Sequence, residues 1–211
     1  MKKGFLILLG IILFILLFCS QTPGQQCNGA SWSFQMSHFD KMNHDGMDYK
    51  KGYTLYSHAR QRFGNVGVLL MFNSISDSSW AVGAGLSYYS KTTTTDIAAG
   101  PKYSIKNGEE GRVVFWVKVR EYIALTKNIE IRTFLDFAEV ISADGYILYY
   151  FDENQVWALG ITGQTKFGVG VIGQLSLTNN FDISARLMTA GERDKKDRII
   201  PTGEIIFRAT F

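Results

Sequence analysis

Cysteine, proline and long apolar runs are scarce in this chain, and each scarcity removes a class of protein. Of 211 residues two are cysteines, Cys19 and Cys27, so from Ser31 onward there is no disulfide framework and no cysteine nucleophile. Three prolines, with no Pro/Gly-rich tract, exclude a low-complexity disordered chain. After Ser31 no uncharged stretch reaches helix-spanning length, which excludes helical membrane spans. Charge is nearly balanced, 22 Lys+Arg against 19 Asp+Glu, and the aromatics do not interleave with basic residues, so nucleic acid is not a partner.

At the N-terminus, Lys2 and Lys3 precede an apolar run from Phe5 to Phe18, followed by small and polar residues. That run is 14 residues, short of the ~20 that a spanning helix needs, and it reads as an export signal. Residues 1–30 are therefore expected to be a leader and 31–211 a single domain. Removing the leader removes two lysines and no acid, which takes the net charge from +3 to +1.

The body has the period of strands. In Trp80–Tyr89 one face carries Trp80, Val82, Ala84, Leu86 and Tyr88, and the other Ala81, Gly83, Gly85, Ser87 and Tyr89. The same alternation recurs in 167–177 and in the last strand, where Ile205, Phe207, Ala209 and Phe211 share a face opposite Glu204, Arg208 and Thr210. The bulky faces are apolar and aromatic, while the opposite faces mix glycine, alanine and serine with full charges. A soluble sheet puts bulk inside; here the bulky face suits lipid and the charged one a crowded barrel interior. Trp80 and Tyr88 stand eight residues apart on one outward face. With about 3.3 Å per residue and a tilt near 40°, that is on the order of 20 Å, the height of an apolar band between aromatic girdles.

The expected fold is all-β, a single antiparallel transmembrane β-barrel. Strands are expected near 31–39, 53–73, 79–90, 95–106, 111–122, 129–141, 145–160, 166–177, 181–189 and 199–211, about ten. Turn residues Phe63–Asn65 and Asp152–Asn154 can split two of these and raise the count to twelve, whereas a protruding hairpin over 129–160 lowers it to eight.

Gly168 to Leu177, then Thr178–Asn180, then Phe181 to Leu187 and a final strand ending in Phe211 resemble the closing hairpin and last strand of small bacterial outer-membrane β-barrels. Asp96 to Ile105, followed by Lys106–Glu110, resembles a strand and periplasmic turn of the same family. The resemblance implies residence in the bacterial outer membrane and contact with its lipid and lipopolysaccharide. It also implies recognition of Phe207 and Phe211 by the barrel assembly machinery. With Phe211 on the periplasmic side, 178–180 is a periplasmic turn, and 40–51 and 190–200 are external, polar loops open to an outside ligand or host surface.

The family includes lipid A-modifying enzymes that use a His with a Ser or acidic partner. His38 follows Ser37, Asp40 lies two residues on, and His44 and His58 complete the histidines, but no catalytic motif joins them. Asp40, His44, Asp45 and Asp48 share one loop, yet their spacing fits no calcium pattern, and Asp45–Gly46 reads as a turn. Neither a metal nor a cofactor is expected.

The interior is the more informative constellation. Lys102, Arg112, Lys118, Arg120, Arg132, Arg186 and Arg208 are expected to face inward, opposed by Glu130, Asp136, Asp182 and Glu204. Desolvated charges must pair, so Lys118, Arg120 and Arg132 are expected to reach Glu130, Asp136 or Glu204 across the barrel. Such pairing fills the lumen, the mark of a non-enzymatic barrel serving membrane integrity or surface interaction. Three alternatives remain: a narrow anion-preferring porin-like channel, a lipid A-modifying enzyme, and an exported soluble barrel that binds lipid.

Overall fold

The computed structural model describes residues 30–39, 42–44, 47–49, 52–75, 79–105, 111–138, 141–152, 154–165, 168–178, 180–193 and 199–211. Residues 1–29 of the expected leader lie outside this set, while its last residue, Ala30, begins the first strand; the charged stretch 194–198 lies outside too, and of 40–51 only backbone segments are described.

The first strands are β1 (Ala30–Phe39), β2 (Met42–His44), β3 (Met47–Tyr49), β4 (Gly52–Phe63), β5 (Val66–Ile75), β6 (Ser79–Tyr89) and β7 (Thr93–Ser104). They are followed by β8 (Arg112–Ala124), β9 (Ile129–Phe137), β10 (Ile141–Tyr150), β11 (Trp157–Gln164), β12 (Gly168–Thr178), β13 (Phe181–Arg193) and β14 (Ile199–Thr210). β1 and β4–β14 form one closed antiparallel barrel of twelve strands in chain order, β14 pairing back onto β1, while β2 and β3 form a separate hairpin. Closure leaves no strand edge unpaired, which is what a sheet in hydrocarbon requires.

Two turns raise the expected ten strands to twelve. Gly64 turns the chain at φ 65, where Phe63 pairs with Val66 and ends β4. Asp152 accepts the backbone N–H groups of Val156 and Trp157 on Oδ1, at 2.9 and 3.3 Å, and so separates β10 from β11. An Asp closing a turn on its own backbone is a strong local stop signal.

The strand count also moves a loop. The resemblance places Lys106–Glu110 at a periplasmic turn; with β4 and β5 separate, β7 climbs away from the terminal rim and ends at Ser104. The connection from Ser104 to Arg112 therefore belongs to the rim opposite Phe211, and residues 106–110 themselves lie outside the described set. Thr178 pairs with Phe181 at the terminal rim, where Asn180 also accepts the backbone N–H of Thr210.

The outer surface is apolar. Val113, Phe115, Val169, Val171, Ile161, Leu159 and Leu86 stand exposed, Phe115 at 71%, while charged side chains are buried inside. Trp80 stacks on Tyr103 near the far rim, with Tyr88, Phe151, Trp157 and Phe211 exposed toward the terminal rim. This inside-out distribution removes the soluble lipid-binding barrel, whose apolar side chains would line the lumen.

The interior also holds apolar packing. Tyr56, Leu69, Met71, Ala81, Ala98 and Trp116 form one buried cluster, and Tyr146, Leu148, Tyr150, Ala158 and Ile172 another, with Phe134 against it. The glycine wall makes room for an indole ring. A Cβ on Gly83 would sit 2.8 Å from Trp116 Cζ3, and Trp116 is fully buried.

Candidate lumenal site

The sites are built by strand parity. On β8 the even residues face inward, so Trp116, Lys118, Arg120 and Tyr122 share one wall. β9 places Glu130, Arg132, Phe134 and Asp136 beside them, and the register sets Tyr122 opposite Arg132 and Lys118 opposite Asp136.

At the waist these side chains stack across the lumen. Arg120 lies 4.6 Å from the Tyr56 ring centre and 5.7 Å from that of Tyr122; Arg132 lies 5.8 Å from Tyr122 and 5.4 Å from Tyr146. The sequence Tyr56, Arg120, Tyr122, Arg132, Tyr146 thus alternates ring and guanidinium from β4 to β10. Those two strands stand on opposite sides of the barrel. Arg60 adds a third cation over Tyr122 at 5.9 Å. A guanidinium over a ring face contributes about 0.5 to 2 kcal/mol, more when desolvated.

Carboxylates hold the stack from outside. Asp96 accepts Arg60 Nε at 3.0 Å, Arg120 Nη2 at 2.8 Å and Ser87 Oγ at 2.6 Å. Glu130 accepts Arg132 on both oxygens and the Tyr150 hydroxyl at 2.8 Å. Arg132 and Arg208 both donate to the Tyr146 hydroxyl, at 3.1 and 3.0 Å, and Arg208 also reaches Asp182 at 3.4 Å.

Toward the far rim, Lys118 donates to Asp136 at 3.0 Å, and the Trp116 indole donates to the other oxygen of Asp136. On the facing wall Arg186 donates to both oxygens of Asp144, at 2.8 and 2.9 Å, and pairs with Glu204. These walls enclose a cavity of about 100 Å³ above Tyr56, Arg120, Phe134 and Tyr146.

Lys102, Lys118, Arg120, Arg132, Asp136, Arg186 and Glu204 are buried in the interior. Glu130, Asp182 and Arg208 are half-buried there, and Arg112 shares their face but stands exposed at the far rim. Two of the three expected pairings use a carboxylate of the expected set, Asp136 for Lys118 and Glu130 for Arg132, but along one wall and not across the barrel, and Arg120 takes a different one. Lys118 pairs with its neighbour on β9, Arg132 with Glu130 two residues along its own strand, and Arg120 with Asp96. Direct register neighbours need no reach, so they win over distant carboxylates. Links over several strands do occur, at Arg60–Asp96, Arg186–Asp144 and Arg208–Tyr146.

Arg60, Asp96 and Asp144 are the interior charges that the sequence reading omits. Asp96 lies on the same face of β7 as Lys102, a signal that parity alone carries. Phe207 and Phe211 lie on the outer side, Phe211 exposed.

Strand parity separates Ser37 from His38. Ser37 is buried inside and hydrogen-bonded to Thr54, while His38 is exposed on the outer side, so the two make no dyad. His58 is buried in the lumen with Arg120 3.5 Å from its Nδ1. The side chains of Asp40, His44, Asp45 and Asp48 lie outside the described residues.

No family model and no curated protein matches the chain. Solved structures do match in fold. One, from work on the in-meso crystallisation of membrane proteins, superposes with a TM-score of 0.54 at 7% identity, covering 86% of this chain and 84% of its own. The KdgM porin gives 0.48 at 15% identity, over 86% of this chain and 99% of that one. Outer membrane phospholipase A from Escherichia coli gives 0.47 at 8% identity, over 93% and 95%.

Proposed function

We propose that this chain, a bacterial outer-membrane β-barrel, is a narrow porin-like channel for small polar solutes, with a slight preference for anions set at its waist. The observation that carries the reading is the composition of the level where the ring–guanidinium stack crosses the lumen. Arg60, Arg120 and Arg132 surround Tyr122 there, against the two carboxylates Asp96 and Glu130. One uncompensated cation at a constriction favours anions modestly, as charge rings do in pores. Through the whole interior the bias stays modest, because with Arg60, Asp96 and Asp144 added eight cations face six anions, an excess of two where the sequence alone leaves three.

A sealed barrel is the second reading, favoured by the stack that crosses from β4 to β10. Such a barrel serves membrane integrity, or contacts an outside surface through 40–51 and 190–200. In either case the apolar belt meets outer-membrane lipid and lipopolysaccharide, and the assembly machinery takes the strand that ends in Phe211.

Single-channel recording of the refolded protein in planar bilayers tests the choice. The channel reading expects a small, stable conductance with anion permeability a few times that of cations. Silence at all voltages, in a barrel shown to be inserted and folded, leaves only the sealed reading.

A further inference from the structure

The cavity above the waist stack has a chemistry of its own. Its walls carry Lys118, Arg120 and Arg186 against Asp136, Asp144 and Glu204, so the net charge is zero, and each of those cations is already held by a carboxylate. An ionic ligand would meet no net countercharge there, and would have to break an existing pair to gain one. What is left for a ligand is acceptor capacity, since an ionised carboxylate has about four lone-pair sites.

Two further polar atoms border the same space. The hydroxyl of Tyr56, a residue 8% exposed, has no hydrogen-bond partner among the described residues, and neither has the side-chain oxygen of Gln164; both residues line the cavity. A buried hydroxyl left unpaired costs free energy, which a bound donor or acceptor would recover. Tyr56, Phe134 and Tyr146 add flat apolar ring faces to its floor. The cavity's 100 Å³ is several times the 10–15 Å³ that admits one water.

From this combination we infer that the cavity is a binding subsite for a small, neutral, polyhydroxylated solute, about one hexose in size. The hydroxyls of such a solute donate to the carboxylates and to the side-chain oxygen of Gln164, and one of them accepts from the Tyr56 hydroxyl. Its carbon-bound faces lie against the rings. The inference gives the channel reading a substrate class and rests on it for transport, while binding is measured at equilibrium without any flow.

The test titrates D-glucose, D-glucuronate and D-glucosamine into the full refolded barrel in detergent, with saturation-transfer NMR as the readout. These probes keep one ring and change its charge. Glucose is expected to bind in the millimolar range, and the two charged sugars at least fivefold more weakly. In Tyr56→Phe the ring and its stack remain and only the unpaired hydroxyl goes, so glucose is expected to bind about three- to tenfold more weakly, while thermal stability is unchanged or raised. Gln164→Leu serves as a second variant with the same expected loss if Tyr56→Phe does not fold. Tighter binding of glucuronate or glucosamine than of glucose, no binding of glucose, or wild-type affinity in the folded variants would overturn the subsite. Glucose binding in a barrel without conductance would overturn the channel and leave the subsite standing.

Discussion

Trp32 and Phe211 exchange both of their backbone hydrogen bonds, at 2.8 and 2.7 Å, and their rings lie 5.9 Å apart. The last residue of the chain thus completes the seam between β1 and β14 that closes the barrel. Deleting Phe211 removes both bonds and the ring together. Export is expected to continue while surface-accessible, heat-modifiable protein in the outer membrane falls severalfold. Protease protection and gel mobility of membrane fractions measure this, and an undiminished folded fraction would count against the assembly role of the terminus.

Asp96 is the one carboxylate that two waist arginines share, Arg60 and Arg120. Asp96→Asn leaves the buried Arg120 and the half-buried Arg60 without that countercharge, a change that costs about 3 to 5 kcal/mol when a buried pair is broken from one side. Urea unfolding in lipid vesicles should show that loss. Arg120→Met in the same background should restore part of it, because the stranded charge is then gone. A stability within about 0.5 kcal/mol of wild type for Asp96→Asn would mean that water reaches this level freely.

Most of the architecture is legible in the sequence, because lipid outside and charge inside enforce a period of two on every strand. Twelve was within the expected range, but two decisions depended on single turns. Gly64–Asn65 is a two-residue turn within a long apolar-alternating segment, and a single strand over 53–73 reverses the direction of the strands that follow. The resemblance places Lys106–Glu110 at a periplasmic turn, whereas the connection from Ser104 to Arg112 lies at the rim opposite Phe211. The turn at 178–180 is placed by counting back from Phe211, so strands merged upstream leave it at the terminal rim, where Thr178 pairs with Phe181. The site was less legible for a related reason. Starting a strand at Gly145 excluded Asp144, and counting charges by face without register left Asp96 unmatched to Arg120. Tyr56 and Tyr146 carry no charge, so a search for charges passes over them, although they end the waist stack.

Val113, Phe115, Val117 and Val119 form the outward row of β8, and Val117 stands near mid-strand, directly before the inward Lys118. Val117→Arg is expected to cost about 2 to 4 kcal/mol in a lipid bilayer, the penalty for an arginine near the midplane of a barrel's outer face. Val113→Arg, one end of the same row, should cost under about 1 kcal/mol, since arginine near an interface reaches the headgroups. Equal costs at the two positions would place the membrane elsewhere on the barrel.

Tyr122 decides what the waist does. It is the only ring of the stack that three arginines approach, Arg60, Arg120 and Arg132, and its edge meets Phe134 at 87°. The arginines keep their carboxylates when the ring is removed, because Asp96 and Glu130 hold them from the wall. Tyr122→Ala therefore opens space at the centre of the lumen without stranding a charge. In the channel reading this variant conducts severalfold more than wild type and is more anion-preferring, because the three guanidiniums then face water instead of a ring. Tyr122→Phe keeps the ring and should conduct as wild type does. If wild type is silent and Tyr122→Ala conducts, the stack is a seal and the sealed barrel is the function. If both are silent in folded, inserted protein, the apolar clusters around Trp116 and Leu148 close the lumen by themselves, and the waist stack is packing alone.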